Sequence, residues 1–198
     1  MTRPAVPAGI HDDDRWALVE DEAHRVATTP VATIDAHTVV YEDRELRERI
    51  AAATGVDTLW RFVFAARLAI DPPVAPAMAP ILVTSTVRPA ARERFPDDLR
   101  ERGLSNVERR GSNRTDVGDD DRARVYRYGA TVTIGDVEGE ATLAPGTEVP
   151  VAAYLAVWER DGTPYTAGGA FPIGGPVDAV APPGEYRGAL FDAIREVG

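Results

Sequence analysis

Residues 60–70 read Trp-Arg-Phe-Val-Phe-Ala-Ala-Arg-Leu-Ala-Ile. Trp60, Phe62, Phe64, Ala66, Leu68 and Ile70 alternate without a break with Arg61, Val63, Ala65, Arg67 and Ala69. A period of two sends alternate side chains to opposite faces of a strand, so this stretch predicts a strand with its bulky side on a core.

Upstream, Asp43 and Gly55 bracket a short helix. Asp43 is a good N-cap, Gly55 suits the position just past a C-terminus, and Leu46, Ile50 and Ala53 share a face opposite Arg44, Glu48 and Arg49. Residues 31–41 are β-branched and alternate, with Ala32, Ile34, Ala36, Thr38 and Val40 expected on the buried face. Residues 16–28 fit strand and helix about equally and are read as strand. Residues 1–15 carry Pro4, Pro7, Gly9 and the acidic run 12–14, and read as a flexible N-terminal arm before a single domain over 16–198.

Downstream, residues 71–80 hold four prolines and read as a stiff, extended loop between strands. Residues 81–87 read as a strand. Residues 89–102 form a helical pattern through Ala91, Phe95 and Leu99, with Pro96 expected to split it in two. Residues 106–121 are polar and read as a loop. Strands follow at 124–134 and 149–160, then a hairpin at Asp161-Gly162 and a returning strand at 163–171. Gly168-Gly169 in that strand implies a bulge or a close backbone approach. A Gly/Pro-rich loop at 172–184 leads to an amphipathic helix over 185–197, with Tyr186, Leu190, Ile194 and Val197 on one face.

Composition removes chemistries. The 198 residues include no lysine and no cysteine: all 22 basic residues are arginine, against 32 Asp and Glu, for a net charge of -10. Schiff-base lysines, phosphate-binding-loop lysines, thiol nucleophiles, disulfides and thiolate metal sites are therefore excluded. The acidic excess disfavours nucleic acid and anionic membranes. No apolar leader segment opens the sequence, and no run of apolar residues is long enough to span a membrane, so a cytoplasmic location is expected.

Asp35 and His37, two apart on one strand, share a face and form a candidate base pair, the carboxylate orienting the imidazole. No serine elbow accompanies them. His11, His24 and His37 lack metal-ligand spacing, and the acidic runs 12–14 and 119–121 lack an EF-hand pattern, so no metal site and no cofactor are expected. Residues 88–114 hold a local surplus of arginine. Arg88, Arg92, Arg109 and Arg110 are the candidate binding residues, since arginine makes bidentate contacts to anions. The alternative is that these arginines pair with Glu93, Asp97, Asp98 and Glu101 nearby. Tyr126, Tyr128, Tyr154, Trp158 and Tyr165 fall on neighbouring strands, as a pocket lining or as core.

The helix with Ala91, Phe95, Leu99 and Gly103, the 124–134 strand, the Asp161-Gly162 hairpin and the closing helix together resemble in plan the Mog1/PsbP-like α+β fold. That resemblance implies a binding or assembly role and transfers no site residues. The segment from Leu155 to Pro172, Leu-Ala-Val-Trp-Glu-Arg-Asp-Gly-Thr-Pro-Tyr-Thr-Ala-Gly-Gly-Ala-Phe-Pro, resembles an uncharacterised family of halophilic archaea, a domain of unknown function. The acidic, lysine-free composition suits that setting, where molar salt screens charge beyond about 3 Å; a GC-rich genome, in which lysine codons drift to arginine, is the alternative.

The sequence thus predicts an α+β domain, a single antiparallel sheet with helices packed on one face. The expected function is non-enzymatic binding of a protein partner or a small anionic ligand. The alternative is a small hydrolase-like enzyme using Asp35 and His37. The sequence leaves the oligomeric state open.

Overall fold

In the computed structural model seven strands form one antiparallel sheet: β1 (Trp16–Thr28), β2 (Thr33–Asp43), β3 (Phe62–Asp71), β4 (Leu104–Val117), β5 (Asp121–Thr133), β6 (Glu148–Arg160) and β7 (Thr163–Pro172). Residues 2–118, 121–135, 143–175, 177 and 183–197 are described. The strand order is β1-β2-β3-β7-β6-β5-β4, two meanders joined where β3 pairs with β7. The helices are α1 (Ala8–His11), α2 (Arg44–Thr54), α3 (Ala79–Leu82), α4 (Arg88–Glu101) and α5 (Pro183–Glu196). Much of the expected 172–184 loop, and Asp119 and Asp120 of the acidic run, lie outside the described residues.

Strand register sorts the side chains. Phe64 opposes Gly168, Gly168 opposes Leu155, and Leu155 opposes Tyr126, so these share one face. Val63, Gly169, Tyr154 and Arg127 are linked in the same way on the other. Helix α4 packs on the first face, where the Phe95 ring lies 5.6 Å from Phe64 and 5.3 Å from Tyr128. Helix α5 packs on the second, where Phe191 meets Tyr154 edge-on at 5.2 Å.

The α+β class and the single antiparallel sheet are as the sequence implies; the helices, however, divide between both faces rather than one. The reason is visible in β6. Val151, Ala153, Leu155 and Val157 are buried on one side, and Ala152, Tyr154, Ala156 and Trp158 on the other. A strand apolar on both sides needs two covers.

Helix α2 follows the sequence reading. The Asp43 carboxylate accepts from the Leu46 amide at 3.0 Å, and Gly55 closes the helix in the left-handed region at φ 78°. The Asp161-Gly162 turn has both residues at positive φ, 50° and 78°, as a tight hairpin requires. Trp60, Phe62, Leu68, Leu46, Ile50, Leu190 and Ile194 are all buried and Phe64 is half-buried, with Phe62, Phe64 and Leu68 on the α4 face of the sheet and Leu190 and Ile194 of α5 against the other.

Four segments depart from expectation. Residues 76–80, read as part of an extended loop, form a 3₁₀ turn and the first residues of α3. Residues 81–87 are helical, not a strand: α3, a π-helical turn over Val83–Val87 and α4 run on without a break. Leu82, Val83 and Val87 are buried while Ile81 is exposed, so packing of one side onto the sheet overrides the β-branched propensity. Pro96 lies inside an uninterrupted α4. Proline has no N–H for the Arg92 carbonyl four residues back, and the Tyr128 hydroxyl donates to that oxygen instead at 3.4 Å. Residues 106–121 are largely strand, because β4 is the sheet edge. It ladders to β5 alone, and its exposed, charged side chains need no apolar pattern.

At one end of the second face lies a buried ionic cluster. Asp43 is fully buried and takes Arg61 at 2.7 Å and Arg15 at 2.9 Å. The Arg61 guanidinium lies between the rings of Trp16 (4.8 Å) and Tyr186 (4.5 Å), tying β1, β3 and α5 together. Burial alone would raise the Asp43 pKa, but the Arg15 hydrogen bond, the Leu46 amide and the two arginine charges outweigh it and hold it below the usual range. Burial pulls Arg61 down, and Asp43 restores part of that.

Candidate functional site

A cavity of about 590 Å³ opens between α4 and the half of the sheet made by β1, β2 and β3. Its floor is built from the first face of the sheet: Ala36 and Val40 of β2, Phe64, Ala66 and Leu68 of β3, and Leu155 of β6. Small side chains make the space. Ala36 and Ala66 lie below, and Ala90 and Ala91 face them from α4, where larger residues would fill the gap.

Two hydroxyls interrupt this apolar floor. Thr38 opposes Ala66 in the β2–β3 ladder, and Ala66 opposes Thr166 in the β3–β7 ladder. The threonines therefore flank Ala66 on one face, two strand spacings or roughly 9–10 Å apart.

The walls are charged. On β1, Glu20, Glu22 and His24 lean over the floor; on the helix side stand Arg94, Asp98 and Glu101. Arg102, just past α4, bonds to Glu20 and straps β1 to the helix end, its guanidinium 5.4 Å from the Phe62 ring centre. Arg94 holds Asp98 at 2.9 Å. Burial in the cleft wall raises the Asp98 pKa, and Arg94 and Arg102 offset only part of that. A perturbed carboxyl lining a large cavity is the kind of feature that marks a working site.

The arginine-rich segment is not one patch. Arg94, Arg100, Arg102 and Arg110 are held by Asp98, Asp97, Glu20 and Glu108. Arg92 lies 5.8 Å from the Tyr126 ring centre, and Arg109 opposes Tyr128 across the β4–β5 ladder. Burial raises the Tyr128 pKa, and the charges of Arg109 and Arg92 lower it in part. Arg110 points to the other face, against Gly129. The Arg88 Nε is buried with no hydrogen-bond partner among the described residues.

Asp35 and His37 share the second face, away from the cleft, and each bonds to β1 rather than to the other. Asp35 accepts from Arg25 at 3.1 Å. The His37 Nε2 sits 2.6 Å from Asp21, and that hydrogen bond, the largest influence, holds the Asp21 pKa low, with Arg3 at 3.3 Å adding to it. A carboxylate–imidazole pair exists, but its carboxylate is Asp21. Among the described residues no three His, Asp or Glu side chains converge as metal ligands, and no helix is long and apolar enough to cross a membrane.

Sequence reasoning missed the cleft. The signal was the row of alanines: Ala36 and Ala66 on strands and Ala90 and Ala91 on a helix, small residues on surfaces that turn out to face each other.

No curated protein and no solved structure matches the chain. One family model, described as a domain of unknown function (DUF6517), matches residues 3–198, and the chain belongs to that family.

Proposed function

We propose that this chain is a non-enzymatic binding domain, and that the cleft between α4 and strands β1–β3 is the seat of a small, largely apolar ligand. The observation that carries this reading is the cleft itself: about 590 Å³ over an apolar floor, within the size range of small-molecule sites. Nile red, an uncharged apolar dye, tests it. Its fluorescence should rise and saturate on titration with the protein. Ala91→Phe and Ala90→Leu, which fill the helix wall of the cleft, should each weaken binding by at least about tenfold. Dye binding that is absent, or unchanged in both variants while their melts stay native, would remove the cleft from consideration.

We further infer that the chain works in concentrated salt, as its net charge of -10 without lysine suggests. Self-repulsion among carboxylates destabilises the compact state when screening is weak. The melting temperature should climb steadily between about 0.1 M and about 3 M KCl, where the Debye length shrinks from about 10 Å to below 3 Å. A flat or falling curve would contradict this.

A further inference from the structure

We propose that the cleft is selective for an uncharged amphiphile, an apolar chain or ring system ending in a hydroxyl, and that it rejects the corresponding carboxylate. This rests on the cleft being the binding seat, and it adds the chemistry of the ligand's polar end.

The argument begins with charge. The guanidinium groups of the cavity wall are those of Arg94 and Arg102, each already bonded to a carboxylate, Asp98 and Glu20; Arg25, also at the rim, turns its side chain to Asp35 on the other face. No guanidinium is left to receive an anionic head group without breaking an existing pair. Glu22 and Glu101 add negative charge at the same walls. An anion entering here would surrender its hydration and meet net repulsion, which is the costly case for burying charge.

The floor supplies the complementary chemistry. Thr38 and Thr166 are the polar groups set among Ala36, Val40, Phe64, Ala66 and Leu68. Thr166 is 8% exposed as a residue and lines the cavity. A threonine hydroxyl can donate and accept, so it can bond a ligand hydroxyl in either sense. One such group on each side of Ala66 would hold a hydroxyl-bearing ligand at a fixed depth, with its apolar body against Phe64 and Leu68. Screening by salt weakens long-range attraction between charges but leaves a short hydrogen bond and apolar contact in place. A neutral ligand therefore suits a chain that carries so much acid.

The test is displacement of Nile red by decanol, decanoate and decylamine in molar KCl at mildly alkaline pH, with full-length protein. Decanol is expected to displace the dye at a concentration at least about tenfold lower than decanoate. In Thr38→Val/Thr166→Val, the affinity for decanol should fall by about three- to tenfold relative to that for Nile red, the worth of one hydrogen bond. A thermal melt of the variant confirms that it is folded. Decanoate matching decanol would overturn the proposal, as would decylamine outcompeting both, which would assign the site to a cationic head group. Unchanged decanol binding in the double valine variant would also overturn it. In each of these cases Nile red still binds, so failure of the head-group assignment is distinct from failure of the cleft as a site.

Discussion

Asp43→Asn should cost about 3–5 kcal/mol of folding stability, the usual loss when one partner of a buried ion pair is removed. Asparagine keeps the shape and still caps α2, so the helix start is not what fails. What fails is Arg61: it stays buried between Trp16 and Tyr186 with its charge uncompensated. Adding Arg61→Met should recover part of the loss, since a buried pair replaced by apolar side chains is often nearly neutral. Urea melts of the single and double variants give both numbers. The cluster also sets a pH dependence. The folded pKa of Asp43 is depressed, so its contribution is complete above the unfolded value of roughly 3.9 and is lost as pH falls through the folded one. The wild-type chain should lose stability over that acid range more steeply than Asp43→Asn. Equal acid slopes would show that Asp43 does not carry this charge in the folded state.

The second large effect is at Gly168. A Cβ there would press into the Tyr154 carbonyl oxygen and lie 2.8 Å from the Phe64 ring. The first obstacle is backbone of the neighbouring strand, which cannot rotate aside. Gly168→Ala should cost at least about 3 kcal/mol, at the upper end for overpacking, and Gly168→Val should leave no folded protein. Gly188 is the internal control. It sits within α5 with nothing near its missing Cβ, so Gly188→Ala should stabilise by about 0.5–1 kcal/mol. A mild Gly168→Ala phenotype would mean that β6 and β7 can separate locally without loss of the sheet.

What could be read from the sequence follows the strength of its local patterns. The 60–70 alternation, the cap pair Asp43 and Gly55, and the Asp161-Gly162 turn each combine several constraints in a few residues, and each element is where those constraints put it. Residues 81–87 failed because β-branched residues are acceptable in a helix whose inner side is buried, and no local pattern reports burial by a distant sheet. Residues 104–117 failed because an edge strand gains its order from backbone hydrogen bonds to one neighbour, which side-chain polarity does not show. The cleft is a further step removed. It depends on α4 lying across β1–β3 at a distance set by four alanines, and on register placing Thr38, Ala66 and Thr166 in a row. Asp35 and His37 were correctly placed on one face, but the carboxylate that His37 meets comes from β1, whose pairing the local sequence did not specify.

The join between β3 and β7 has a consequence for assembly. Every other pair in the sheet links consecutive strands. Here alone residues as distant as Phe62 and Ala170 must find each other. Closing a long loop costs entropy before any contact rewards it, whereas the other pairs join strands that follow one another in the chain. The search problem of this chain is therefore concentrated in a single seam, and the seam runs along Gly168-Gly169, where Phe64 meets Gly168 and Val63 meets Gly169.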